Sequence, residues 1–190
     1  LDQDPIERKK TEARLRNAGF AENALIVGAT NFSNAKKFIT ALGIPKVDMI
    51  LADLGVSSMQ IDDPLRGFSF KADAPLDLRM NPSEGLSAAE LLTTLNFVQL
   101  AEILRDNSDE LRADVIAKAL IAEKPKTTGR LLLVLRKVIA SFSKRIQAEE
   151  GEATIRRTFQ ALRIAVNDEF GALDQLLLDI PQMLNKGGRV

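Results

Sequence analysis

Between Leu1 and Ala52 three short apolar runs alternate with two helix-like segments, and no other feature restricts the possible folds as much. Leu1-Asp2 reads as the end of a strand, and Pro5 to Asn17 as a helix with proline in its first turn and Gly19 just past its end. Ala24 to Val27 reads as a second strand and Asn34 to Leu42 as a helix closed by Gly43. Val47 to Ala52 reads as a buried third strand entered from a Pro45-Lys46 turn. Strands separated by helices pair in parallel, so the order βαβαβ predicts a parallel sheet of the α/β class.

The third run stops at Asp53, and Gly55, Ser57, Ser58 and Gln60 follow. A carboxylate at the carboxyl end of a buried strand is where open α/β sheets place ligands. Gly55 lets a ligand approach the backbone closely, and the serines offer small hydroxyls. The plainer alternative is a strand-end carboxylate followed by an ordinary turn. Next come Arg66-Gly67-Phe68-Ser69-Phe70, Asp77 and Arg79, in a connection too long for a simple link. Phe68 or Phe70 could stack on a displaced base while Arg66 or Arg79 grips phosphate. Alternatively, the phenylalanines plug the loop onto the core and Asp77 pairs with Arg79.

From Ser87 the texture becomes helical. Ser87 and Glu90 form a capping box, and helices are expected at Ser87 to Thr94, Phe97 to Arg105, Asp109 to Glu123 and Thr128 to Phe142. After a polar break at Glu149-Glu150-Gly151-Glu152 a helical pattern runs from Thr154 to about Leu184, with interruptions expected near Asn167 and at Pro181. The expected organisation is a core over residues 1–85, an all-helical insertion over 86–150 for RNA recognition, and a return to the core over 151–190.

Composition removes several chemistries. Cys, His, Trp and Tyr are all absent, so these residues hold no disulfide, thiol nucleophile, imidazole base or zinc site of the usual kind. Lys plus Arg and Asp plus Glu are 26 each, so attraction for an anionic partner must be local. Arg136-Lys137, Lys144-Arg145, Arg156-Arg157 and Arg163 read either as a track for RNA phosphates or as a solvated helix face. No apolar run approaches the roughly 20 residues of a membrane span and no signal sequence is present, which points to a soluble, cytoplasmic protein.

Several stretches together resemble the bacterial small-subunit (16S) ribosomal RNA cytosine-N4 methyltransferases. They are DLGVSSMQIDDPLRGFSF from Asp53, PLDLRM from Pro75, TTG at Thr127 to Gly129, RTFQALRIAVN at Arg157 to Asn167, and the final GGR. The resemblance implies a class I S-adenosyl-L-methionine-dependent, Rossmann-like sheet with an all-α helical insertion. It implies donor contacts at Asp2, Phe32, Asp53 and Gln60, with Asp2 on the ribose and Phe32 against adenine. From the residues alone, the plainer alternative for Asp2 is a helix cap, although Asp4 is better placed for that, and Phe32 could be an ordinary core residue. Catalysis would fall to Asp53 with Ser57 and Ser58, and substrate contacts to Arg66, Phe68, Phe70, Asp77 and Arg79. The partner would be small-subunit ribosomal RNA. Methylation at carbon 5 of cytosine normally needs a cysteine, whereas attack by the exocyclic amine needs positioning and a hydrogen-bond acceptor.

The family's glycine-rich loop would lie upstream of Leu1 and its histidine-containing motif downstream of Val190. The chain therefore reads as a fragment lacking both ends, expected neither to fold cooperatively nor to transfer methyl groups alone. Asp114-Val115 stands where the family usually has basic residues, against RNA contact there. A nucleotide-binding oxidoreductase and a noncatalytic RNA-binding or assembly protein remain as alternatives.

Overall fold

The computed structural model describes Leu1–Val190 and divides into two compact units, one of Leu1–Val56 with Asp168–Val190 and one of Ser57–Asn167. In chain order the elements are α1 (Pro5–Asn17), α2 (Ala35–Ala41), β1 (Val47–Met49), α3 (Ser58–Asp62), α4 (Ala88–Thr94), α5 (Phe97–Ser108), α6 (Ala113–Glu123), α7 (Thr128–Ala140), α8 (Lys144–Asn167), α9 (Glu169–Met183) and β2 (Leu184–Arg189). Short 3-10 turns cover Phe32–Asn34 and Pro64–Arg66.

In the first unit, β1 and β2 form a parallel two-stranded sheet. Val47 faces Leu184 and Met49 faces Arg189, so β2 carries extra residues between the two pairings. Gly187, at φ 85°, lies within that irregular stretch, and Ile50 N–H donates to Arg189 O at 2.9 Å where pairing resumes. The GGR stretch thus lies inside a strand. Lys36 Nζ donates to Gln182 Oε1 at 2.6 Å, tying α2 to α9.

Two of the three expected strands are not formed. Leu1-Asp2 and Ala24 to Val27 are not in strand conformation, and the neighbouring backbone is tied by a single bond, from Asp2 N–H to Gly28 O at 3.1 Å. One bond makes no ladder. The third run pairs only over Val47–Met49 and is not buried: Met49 is 67% and Leu51 90% exposed. The cause is topological, because β1 has β2 as its one sheet neighbour. Of the expected parallel sheet two strands are formed, within a largely helical chain.

The second unit packs α4 to α8 around Leu92, Leu100, Leu104, Ile116, Leu120, Leu131, Leu135 and Leu162. Leu76 and Leu78, each 1% exposed, join that core from the loop preceding α4. This burial places the residues just before α4 in the unit that runs from Ser57 to Asn167. The loop side chains belong to the helical core, and α8 runs without interruption through Glu149–Glu152. That stretch is helix because its acids lie on a polar face, with Arg145 Nε 3.0 Å from Glu149 Oε1, while Gly151 is buried. A Cβ at Gly151 would lie 3.3 Å from Ile139 Cγ2, so the missing side chain lets α7 and α8 approach. The break near Asn167 does occur, at Asp168, whose φ is 47°. Pro181 does not end α9, because it falls in the last turn and the helix closes at Met183.

Helix α7 begins at a knot formed by the TTG residues. Thr128, fully buried, donates from Oγ1 to Ala72 O at 2.8 Å and accepts Ala74 N–H at 3.1 Å. Gly129 N–H donates to Asp73 Oδ1 at 2.9 Å. A Cβ at Gly129 would sit 2.6 Å from that same oxygen. Gly129→Ala is therefore expected to destabilise by about 1 kcal/mol, because displacing the Asp73 cap outweighs the helix propensity gained. A lower denaturant midpoint with unchanged slope would show it, and a raised midpoint would contradict it.

Candidate functional site

Each unit carries its own group of the residues singled out by sequence. In the first unit, Asp4 rather than Asp2 caps α1: its carboxylate accepts Ile6 N–H at 2.8 Å and Glu7 N–H at 3.2 Å, and the residue is fully buried. Asp2 stays exposed, with Oδ1 accepting Asp4 N–H at 2.8 Å. Phe32 is half-buried and opens the 3-10 turn that Asn31 caps through Ser33 N–H at 2.9 Å. Asn31 Nδ2 donates to Gln3 Oε1 at 3.0 Å, so the turn bearing Phe32 is fastened beside Asp2.

Gly28 belongs to the same arrangement and was not anticipated. A Cβ there would meet Leu1 Cδ2 at 2.4 Å and Phe38 Cε2 at 2.7 Å, so only glycine lets these segments close together. Gln3 and Asn31 were missed as well, since a hydrogen bond between positions 28 residues apart leaves no local pattern.

Asp53 follows β1 outside any helix or strand and is exposed. Gly55, at φ 108°, turns the chain two residues on, in a conformation that side-chain-bearing residues rarely adopt.

In the second unit, Ser57 and Gln60 form a capping box at the start of α3. Gln60 Oε1 accepts Ser57 N–H at 2.8 Å, and Ser57 Oγ accepts Gln60 N–H at 3.3 Å. Gln60 is buried and Ser58 exposed.

Arg66 is only 6% exposed. Its Nη2 donates to Arg79 O at 3.0 Å and Met80 O at 2.8 Å, and its guanidinium carbon lies 5.7 Å from the centre of the Phe68 ring. Phe68 and Phe70 are partly buried against the helical core, with the Phe70 ring centre 5.2 Å from that of Phe159. Arg79 grips Asp77 in a fork, Nε to Oδ1 and Nη2 to Oδ2, both at 2.7 Å, and Nη1 reaches Gly85 O at 3.1 Å.

Burial works to raise the Asp77 carboxyl, but the Arg79 hydrogen bonds and charge, with a contribution from Arg66, outweigh it. The group is held below its ordinary value. Asp77 therefore contributes stability above the ordinary carboxylate value of about 3.9 and loses it as pH falls through its lowered folded value. Asp77→Asn is expected to flatten the acid limb of the stability–pH curve below about pH 4, measured by denaturant melts at a series of pH values. An unchanged acid limb would contradict this.

Some of the basic residues along the later helices are paired with acids. Arg157 bridges buried Glu110, at 3.1 Å, and Glu150. Arg145 pairs with Glu149, and Arg105 takes up Asp114. Arg136, Lys137, Lys144 and Arg156 remain exposed. No group of three acidic side chains gathers as a metal site would require, and no helix is long and apolar enough to cross a membrane.

The comparisons agree with one another. The MraW methylase family model matches residues 1–190. "Ribosomal RNA small subunit methyltransferase H 1" of Lachnoclostridium phytofermentans is 47% identical over 100% of this chain and 53% of its own length. "Ribosomal RNA small subunit methyltransferase H 2" of Acholeplasma laidlawii is 45% identical over 100% of the chain and 56% of its own length. "Ribosomal RNA small subunit methyltransferase H 1" of Agathobacter rectalis is 44% identical over 99% of the chain and 55% of its own length. The chain thus spans about half the length of the curated relatives it matches. With every residue inside the match and about half of each relative's length aligned at these identities, the chain belongs to the MraW methylase family.

Proposed function

We propose that this chain forms part of an enzyme that uses S-adenosyl-L-methionine to methylate the exocyclic N4 of a cytosine in small-subunit ribosomal RNA. The observation that carries the reading is the exposed Asp53 carboxylate just beyond the parallel strand β1, in a chain matched throughout by a methylase family. A class I, Rossmann-like arrangement is the fold this reading requires.

The first unit suits the methyl donor. Asp2, exposed and next to the Gln3–Asn31 bond, offers a carboxylate to the ribose hydroxyls, and Phe32 offers a ring edge to adenine. When bound, the donor supplies an electrophilic methyl on a sulfonium. Asp53 accepts a hydrogen bond from the attacking amine and holds its nitrogen in line with the methyl carbon. Gln60 and Ser57 hold the start of α3 through their reciprocal bonds, and Ser58 adds an exposed hydroxyl. The base is taken in single-stranded or flipped form. Asp77 and Arg79 offer polar contacts to it, while Phe68, Phe70 and Arg66 shape the loop that carries them. The proposed setting is the cytoplasm, where ribosomal subunits are substrates.

The test uses the complete protein with methyl-tritiated donor and small ribosomal subunits. Label recovered as N4-methylcytosine is the expected outcome. Donor binding with no transfer would replace this reading with a noncatalytic RNA-binding protein, and preference for a nicotinamide dinucleotide would replace it with an oxidoreductase.

A further inference from the structure

The loop carrying Asp77 and Arg79 is held in a conformation that its own sequence does not favour. Leu78 is 1% exposed and has φ 64°, in the left-handed region where branched, bulky side chains are rarely found. Nearly every polar backbone group around it is engaged. Leu76 N–H donates to Lys126 O at 3.0 Å, and Leu78 N–H to Arg66 O at 3.1 Å. The carbonyls of Leu76 and Asp77 accept the first N–H groups of α4, from Ala89 at 2.9 Å and Ala88 at 2.7 Å. Arg66 holds the carbonyls of Arg79 and Met80, and two further groups, Leu78 O and Met80 N–H, meet a single side chain at the end of α8. Asn167 Oδ1 accepts Met80 N–H at 2.7 Å, and its Nδ2 donates to Leu78 O at 2.7 Å and to Arg163 O at 2.8 Å.

We propose that Asn167 is a positioning residue for the reaction: its amide clamps both sides of Arg79, from Leu78 O to Met80 N–H, and so fixes the angle at which the Asp77–Arg79 fork is offered to the target nucleotide. The proposal rests on the functional reading above. Asparagine is needed because the clamp requires an acceptor and a donor on one short planar group. Asp supplies no donor, and Ala supplies neither. A strained residue persists where its surroundings over-determine it, and Asn167 supplies a bond on either side of half-buried Arg79.

Methyl transfer is measured with the complete protein, small ribosomal subunits and tritiated donor, beside thermal melts and donor affinity. Asn167→Ala and Asn167→Asp are each expected to lower kcat by about 10²-fold, the usual cost of misplacing a reacting group by about 1 Å. Donor affinity stays at the wild-type value. The control is Asn107→Ala, which removes another tether onto α8, the 3.2 Å bond from Asn107 Nδ2 to Ala161 O, without touching the loop. It is expected to keep wild-type kcat. The proposal is overturned if either Asn167 variant turns over like wild type. It is also overturned if kcat recovers when each variant is assayed well below its own melting temperature, as a purely structural role would allow. If the wild-type protein transfers no methyl group, the parent reading has failed and this proposal falls with it; that outcome shows in the wild type and not in the variants.

Discussion

Asp53→Ala in the complete protein is expected to lower kcat/KM for methyl transfer by about 10²- to 10⁴-fold, the range associated with losing a positioned proton acceptor. The side chain is exposed, so the substitution removes no buried contact, and surface replacements of this kind usually change stability by no more than about 0.5 kcal/mol. The prediction is therefore a large kinetic effect with an unchanged melt. Asp53→Asn sharpens it. The amide keeps the shape and one acceptor oxygen but loses the charge that favours the developing cation on the amine, so it should recover little of the loss. Donor affinity separates two jobs for the same carboxylate. If Asp53 mainly holds the donor, KM for the donor rises while kcat is kept; if it orients the amine, kcat falls. Transfer by Asp53→Ala at the wild-type rate would remove the observation on which the functional reading depends.

What could be read from the sequence was mostly local in origin. Helix α1 lies between Pro5 and Asn17 as expected, because proline in the first turn, the Asp4 cap and Gly19 beyond the end are all encoded within a few residues. The Ser87–Glu90 capping box is equally local and marks the start of α4 as expected. Strands were less legible. An apolar run such as Ala24 to Val27 becomes a strand only if a neighbour pairs with it, and pairing is a property of distant segments; Ile26 is 51% exposed with no ladder beside it. The polar stretch Glu149–Glu152 misled in the opposite sense, since a solvated helix face and a linker have the same composition. At the candidate site, sequence singled out Asp53, Asp77 and Arg79 as polar residues in unusual places. It did not reveal that Asn167 reaches Leu78 and Met80, because that side chain sits 87 residues from Met80 and looks like an ordinary helix end.

Arg66 is where two physical accounts diverge most sharply, and Arg66→Ala decides between them. As a phosphate ligand, an arginine is solvent-facing and released counterions report its loss. Salt dependence of RNA binding would flatten by about 0.7 to 0.9 in log–log slope, with little change in stability. The structure instead gives Arg66 6% exposure and donates its Nη2 to two main-chain oxygens, those of Arg79 and Met80. Removing the guanidinium leaves buried carbonyls without their charged donor. Orphaned buried groups cost about 1–3 kcal/mol each, so Arg66→Ala is expected to destabilise the helical unit by about 3 kcal/mol. Arg66→Lys should not rescue it, because an ammonium lacks the planar guanidinium that lies over the Phe68 ring while donating to both carbonyls. The salt slope should stay at the wild-type value under conditions where the variant is folded. Methyl transfer should fall with the loop that Arg66 holds, even at temperatures where the helices remain intact. A variant that melts like wild type while its salt slope drops would return Arg66 to the RNA surface and take the Leu78 loop out of the mechanism.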